Sequence, residues 1–192
     1  HASGRLRGAK RIGPRYDPAT ITERVFRMKT HYKKYRATLL LIYAVLWVVL
    51  AIDPHDRKDW ALENALVLAF GLGMWAAYKH FLFSRVSYTL IFLFLCLHSI
   101  GAHYTYSEVP YNEWWQSLTG NSFNSMFGWE RNNFDRLVHF SYGFLLAYPI
   151  REIFLRVADV RGFWGYFLPL DFALATSALY ELIEWEIGRA HV

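Results

Sequence analysis

Five long apolar segments dominate this chain and constrain its fold more than any other feature. Each approaches the ~20 residues that an α-helix needs to cross a hydrocarbon core of ~30 Å. The segments cover residues 37–52, 61–78, 86–103, 134–150 and 163–185. Tryptophans lie mostly near their ends, where a membrane protein carries its aromatic belt. The pattern predicts an all-α protein, a polytopic transmembrane helical bundle with five visible spans.

Composition and charge agree with a membrane domain. Of the 192 residues, 54% are hydrophobic and 19% aromatic, which suits one membrane domain better than a soluble one. The formal net charge is +5, and residues 1–27 alone carry seven Lys or Arg against two acidic residues. Because the remainder is neutral overall, no basic face is left for nucleic acid, and we expect no nucleic-acid partner.

The two ends of the chain differ from its centre. We expect a single integral membrane domain over residues 28–185. Residues 1–27 are rich in Gly and Arg without apolar periodicity, so we interpret them as a non-native or disordered basic extension. Residues 186–192 (EIGRAHV) resemble translated sequencing-adapter DNA, and we interpret them as an artefact.

Basic residues in the loops predict the orientation. The N-terminal flank is strongly basic, the 79–85 loop contains two basic residues, and the 151–161 loop contains three. These three regions lie on one side if each apolar segment crosses the membrane once. Since basic loops face the cytoplasm, we expect a cytoplasmic N-terminus and a multi-pass protein of the bacterial inner (cytoplasmic) membrane.

Ionisable side chains are concentrated at the segment ends that face the outer leaflet in this topology. A charged group at the centre of a membrane helix costs roughly 2.5–3.5 kcal/mol. A set of such groups at one shared depth is therefore a candidate site. Four segments contribute to it, with Glu63, His98, His103, Asp135, His139, Glu181 and Glu184.

The spacing within each helix predicts which of these side chains lie together. Asp135 and His139 are four residues apart, so they share a helix face. Glu181 and Glu184, three apart, share a face as well. Carboxylates mixed with imidazoles suit zinc, iron or manganese better than calcium. The pattern predicts a divalent metal site.

The two histidines of the third segment are five residues apart. His98 and His103 can reach one ion only if the helix ends or bends between them, which Gly101 permits. We interpret His98 as a hydrogen-bonded helix histidine. The predicted metal ligands are therefore Asp135, His139, His103, Glu181, Glu184 and Glu63.

A structural interpretation of the same residues stays open. Arg136 follows Asp135 directly, and Arg131 is nearby in sequence. These cations and the histidines could pair with the carboxylates in a salt-bridge or proton-relay network without a metal.

The long segment between the third and fourth spans, residues 104–133, is rich in Trp, Tyr, Asn, Ser and Gly. Pro110 and Gly120 bracket the sequence YNEWWQSLT, which predicts one or two helical turns in the membrane interface. An aromatic loop resting on lipid head groups is favoured over a lid on the site.

Four motifs in order resemble one family. They are GAHYTYSEVP at 101–110, RNNFDRLVHFSYG at 131–143, YPIRE at 148–152 and YELIEW at 180–185. They are similar to the bacterial YjdF-like inner-membrane proteins, a family of unknown function, over residues 28–185. The resemblance implies a compact polytopic inner-membrane protein. It also implies a C-terminally truncated fragment, which lacks an acidic Gly-Asp/Trp-Asp motif and a final helix.

Three classes of function fit these features. The first is a metal-dependent membrane hydrolase that acts at the outer leaflet on a lipid or lipid-linked substrate. The metal would lower the pKa of a bound water, and Glu181 or Glu184 would act as general base. Arg131 and Arg136 would hold an anionic head-group phosphate.

The second class is an ion or proton-coupled transporter, although polar residues on the inner half are few. The third is a non-catalytic membrane scaffold or accessory subunit, in which the polar network joins helix ends. We take the hydrolase as the main hypothesis and keep the other two classes as alternatives; the sequence does not indicate an oligomeric state.

Overall fold

The computed structural model describes residues 18–78 and 80–190, with the side chains of residues 30–78, 80–183 and 185. These residues form seven α-helices and no strand, which confirms the predicted all-α fold. The helices are α1 (Pro18–Leu50), α2 (Arg57–Ala77), α3 (Arg85–His103), α4 (Tyr111–Thr119), α5 (Phe123–Phe127), α6 (Phe134–Arg156) and α7 (Trp164–Ala190).

The chain divides into two compact units, His1–Tyr35 and Arg36–Val192. The first contains the start of α1, and the second contains the rest of α1 and helices α2 to α7. Helix α1 begins within the segment that we interpreted as a basic extension. Residues 1–17, 191 and 192 lie outside the described residues. The domain boundaries at 27 and 186 stay predictions.

Each predicted apolar segment lies almost entirely within one helix. Among the described residues, three helical stretches are long and apolar enough to cross a membrane: Arg57–Ala77, Arg85–His103 and Trp164–Ile183. Helices α1 and α6 carry more charge, because α1 becomes apolar only after Arg36 and α6 ends in a charged stretch. Five crossings and a cytoplasmic N-terminus stay predictions.

Side-chain caps fix where the first two of these three stretches begin. Asp56 precedes α2, and its carboxylate accepts hydrogen bonds from the backbone N–H groups of Asp59 (3.0 Å) and Lys58 (2.7 Å). These two bonds lower the pKa of this exposed carboxyl. Ser84 caps α3 in the same way, by accepting from the backbone N–H of Ser87 at 3.2 Å. Both caps satisfy N–H groups that the first helical turn leaves unpaired.

Helices α2, α3, α6 and α7 pack in that order. The ring of Phe94, midway along α3, packs on Tyr142 of α6 with centroids 5.5 Å apart. Tyr142 also hydrogen bonds to Thr176 of α7 at 2.8 Å, while Phe154 contacts Phe172 nearer the other end. Because later residues of α6 meet earlier residues of α7, these two helices are antiparallel.

Polar side chains attach α1 to α2 and α3. The indole of Trp47 donates to the amide oxygen of Asn64 at 2.5 Å, and the Asn64 amide donates to the carbonyl of Trp60 at 2.7 Å. The hydroxyls of Tyr43 and Ser99 are 3.1 Å apart. Asn64 and Ser99 are buried, so these bonds satisfy polar groups that lipid could not.

Residues 104–133, the connecting segment, fold back over the neighbouring ends of α3 and α6. The segment contains α4, as predicted, and also α5; α4 ends at Gly120 in the left-handed conformation. Val109 is 1% exposed and packs against Phe134 and Val138 of α6. Asn132 donates to the carbonyl of Val109 at 2.8 Å. The segment is therefore packed onto the helices through its own core.

At the opposite end, a carboxylate joins the start of α3 to the end of α6. Glu152 accepts from the backbone N–H of Ser84 at 2.9 Å and from the hydroxyl of Ser87. It also accepts from the guanidinium of Arg156 at 2.5 Å, which donates further to the carbonyl of Leu82. This contact makes α3 and α6 antiparallel neighbours.

We predict that Glu152→Gln destabilises the folded protein by about 1.5–3 kcal/mol, the range for hydrogen bonds to charged groups. The amide keeps the shape of the side chain but loses the charge that three donors share. Thermal unfolding in detergent, followed by circular dichroism, measures the effect. Glu113→Gln, at an exposed position of α4, is the matched control; equal melting temperatures for the two variants would contradict the assignment.

Candidate functional site

A cavity of about 530 Å³ lies among α2, α3, α6 and α7. Its wall on α6 extends from Asp135 to Ile153. Eighteen residues of α-helix rise about 27 Å, which is close to the thickness of a hydrocarbon core. The cavity is therefore a long cleft that follows the helices.

The lining of this cleft changes character along its length. Most of the wall is apolar and includes Leu66, Val67, Phe70, Leu146, Ile150 and Phe172. Polar side chains line the end nearest the start of α6, and they include His98, Tyr106, Asp135, His139, Thr176 and Tyr180. We call these two parts the apolar wall and the polar end.

One side of the polar end is a hydrogen-bonded group from α2, α3 and the connecting segment. The Tyr106 hydroxyl donates to the carboxylate of Glu63 at 3.0 Å and lies 2.9 Å from Nδ1 of His98. Nε2 of His98 is 3.9 Å from the same Glu63 oxygen. His98 is buried, so this network satisfies a polar ring that bilayer lipid would leave unpaired. The interpretation of His98 as a hydrogen-bonded helix histidine fits this contact.

Gly101 allows the ring of Tyr106 to reach that position. A Cβ atom at residue 101 would lie 2.3 Å from two ring carbons of Tyr106. Thr105 and Tyr106 both have positive φ angles, 53° and 54°, a conformation that residues other than glycine rarely adopt. Helix α3 continues through Gly101 without ending there. The residue therefore provides space for an aromatic ring.

The other side of the polar end joins α6 to α7. Nε2 of His139 is 3.3 Å from the carboxylate of Asp135, one turn earlier, and 3.1 Å from that of Glu181. Asp135 and His139 line the cleft. Glu181 does not line it but contacts the imidazole of His139. The imidazole is therefore held between two carboxylates at the edge of the cleft.

The remaining predicted site residues lie elsewhere. Nδ1 of His103 is 2.8 Å from the carbonyl oxygen of Leu50, at the end of α1. Arg136 donates to the side chain of Asn133 at 3.0 Å, and both Arg136 and Arg131 are exposed and absent from the wall of the cleft. The side chain of Glu184 lies outside the described residues.

The predicted metal ligands are thus distributed over separate groups. Glu63 belongs to the group around Tyr106, Asp135 and Glu181 belong to the group around His139, and His103 bonds to a backbone carbonyl. Within the part of the chain whose side chains are described, no three His, Cys, Asp or Glu residues form a group that could hold a metal ion. The metal site stays a prediction.

Sequence reasoning missed the hydroxyl groups of the site. Tyr106, Tyr142 and Thr176 line the polar end of the cleft, beside the ionisable residues. The one available signal for Tyr106 was a glycine at position 101 followed five residues later by an aromatic side chain. Nothing in the sequence predicted that the backbone turns back over α3 at Thr105 and Tyr106.

We predict that Gly101→Ala lowers the melting temperature, because the new methyl group displaces the Tyr106 ring from its partners. Overpacking of this kind costs roughly 1–3 kcal/mol. Thermal unfolding in detergent measures it, with Gly73→Ala as control, since a Cβ there meets nothing within 4 Å.

A double variant tests the stated cause. Adding Tyr106→Ala to Gly101→Ala removes the clashing ring, so the two effects should be clearly less than additive. Full additivity, or a Gly73→Ala effect as large as that of Gly101→Ala, would contradict the role of this glycine.

Comparisons with known proteins assign the chain to a family. The family model described as "Predicted membrane protein (DUF2238)" matches residues 35–190, which include every residue that lines the cleft. The chain is 36% identical over 149 residues to the inner membrane protein YjdF of Escherichia coli (strain K12), a match that covers 77% of this chain and 65% of that protein. The chain therefore spans about 65% of the length of this curated relative. No solved structure gives a significant match. The chain belongs to the DUF2238 family of membrane proteins, as its resemblance to the YjdF-like proteins predicted.

Proposed function

We propose that this membrane protein binds a lipid-type amphiphile in the cleft. The chain of the amphiphile lies along the apolar wall, and its head group contacts the polar end. The observation that carries the proposal is the change in lining along α6, from Asp135 and His139 at one end to Leu146, Ile150 and Ile153 at the other. The volume of about 530 Å³ lies within the range of ligand pockets, roughly 300–1,000 Å³.

The apolar wall favours this ligand class over a hydrated ion or a small polar solute. Water in a cavity needs several polar partners, and cavities lined by Leu, Ile and Phe stay dry. Residues such as Phe70, Leu146 and Ile150 offer none. An alkyl chain fills such a space without leaving a polar group unsatisfied, whereas an ion would lose its hydration shell there.

A scaffold role does not require this cleft. In a scaffold, polar contacts such as Tyr142–Thr176 and His139–Glu181 would join α6 to α7, and close packing of the helices would serve that purpose better than a long space between them. The same contacts instead hold the walls of the cleft at fixed positions, which supports ligand binding.

Hydrolysis of the bound amphiphile is the second candidate function. It is supported by the position of His139, whose imidazole contacts two carboxylates and also lines the cleft. A histidine oriented by a carboxylate can act as a general base on water or on a substrate hydroxyl. In this proposal Asp135 and Glu181 orient His139. A divalent metal held by these side chains, together with Glu184, would add activation of the water.

We predict that filling the apolar wall removes the lipid. Leu146→Trp places an indole in the cleft and should reduce bound lipid at least about tenfold, since a loss of about 1.4 kcal/mol of binding free energy suffices. The measurement is native mass spectrometry of the detergent-purified protein, with identification of co-purified lipid after extraction.

Phe144→Trp is the matched control, because Phe144 lies two residues away on the same helix and is 69% exposed. It should retain the lipid. Equal lipid content in both variants, with both folded, would contradict binding in the cleft.

We predict for the second candidate that His139→Gln reduces ester hydrolysis at least about 100-fold, the lower contribution of a general base. The assay follows turnover of long-chain ester amphiphiles in micelles, with elemental analysis of the same samples for zinc, iron and manganese. His80→Gln, at an exposed position outside the helices, is the control. Absence of turnover in the unaltered protein, or equal turnover in both variants, would eliminate the hydrolase proposal and leave the binding proposal intact.

A further inference from the structure

We infer that the cleft selects amphiphiles whose head group is uncharged or cationic and donates hydrogen bonds, and that it rejects anionic, phosphate-bearing ones. This inference rests on the proposed binding function and concerns the head group alone. It differs from the sequence-based hypothesis, in which arginines hold a phosphate.

The head group decides which amphiphile binds, because the alkyl chain cannot. An alkyl chain that leaves the bilayer for the apolar wall exchanges one apolar environment for another, so the hydrophobic effect contributes little to the difference. Phe70, Leu146 and Ile150, which line the apolar wall, carry no polar group that could distinguish one alkyl chain from another. Discrimination between amphiphiles therefore resides at the polar end.

Three carboxylates and two histidines meet at the polar end: Asp135 lines the cleft itself, whereas Glu63 and Glu181 contact residues that line it. Glu63 contacts Tyr106 and His98, while Asp135 and Glu181 contact His139. Even with both histidines protonated, ionised carboxylates leave a net charge of −1 there. A phosphate would thus face like charge, which is unfavourable at close range. A hydroxyl or an ammonium can donate to the carboxylate oxygens.

Arginines and lysines do not offset this charge in the cleft. None lines its wall within the described residues. Arg136, although next to Asp135 in sequence, donates to Asn133 and is exposed. Protein sites that recognise phosphate supply bidentate guanidinium donors or clustered backbone N–H groups. The polar end instead supplies the carboxylate of Asp135 together with imidazole and hydroxyl groups.

Three single-chain amphiphiles with the same chain test the inference: tetradecanol, tetradecylamine and tetradecyl phosphate. Each competes with a pyrene-labelled fatty alcohol bound to the detergent-purified protein, and energy transfer from tryptophan reports displacement. We expect the alcohol and the amine to displace the probe, and the phosphate to bind at least about tenfold more weakly.

Two neighbouring variants separate the head-group effect from general damage. Asp135→Asn removes a carboxylate that lines the cleft, so phosphate binding should strengthen, amine binding should weaken and alcohol binding should stay constant. Unfolding alone would weaken all three. Arg136→Gln changes the adjacent exposed cation and should leave the order of affinities unchanged.

The experiment distinguishes failure of the head-group inference from failure of the proposed binding function. Phosphate binding as tight as alcohol binding, or its specific loss in Arg136→Gln, would overturn the inference while leaving the proposed binding function in place. Failure of the probe and of all three amphiphiles to bind would contradict the proposed function, and the head-group inference with it.

Discussion

The contact between the Tyr106 ring and Gly101 holds together the side of the polar end that α2, α3 and the connecting segment form, and the candidate site depends on it. Because residue 101 has no side chain, the ring lies directly against α3, and its hydroxyl reaches both Glu63 and His98. One phenol thereby connects α2, α3 and the connecting segment. In a membrane helix bundle this matters, because unsatisfied polar groups are costly where lipid cannot hydrogen bond to them.

The same constraint explains why the cleft has two chemically distinct parts. Polar side chains at neighbouring helix ends satisfy one another in pairs and triplets, such as His139 with Asp135 and Glu181. Further along α6, toward Ile150, the wall is apolar, and among the residues that the structure describes no such polar partners line it. An amphiphile matches this arrangement because it carries the same division along its own length.

Much of the helical framework could be predicted from the sequence, because long apolar segments are local signals. The contact between Asp135 and His139 also follows from their spacing of four residues. The partner of His103 could not be predicted, since a backbone carbonyl such as that of Leu50 carries no residue-specific signal. The path of the connecting segment was equally hidden, because it depends on left-handed backbone angles at Thr105 and Tyr106.

Photo-crosslinking would locate a bound amphiphile in the cleft without relying on any variant. A lipid analogue with a diazirine midway along its chain would be added to the protein in proteoliposomes, and labelled residues would be mapped by mass spectrometry. We expect saturable labelling of Leu146, Ile150 and Phe70 that unlabelled amphiphile competes away. Labelling confined to outward-facing side chains such as Phe144 and Leu68, without saturation or competition, would contradict amphiphile binding in the cleft.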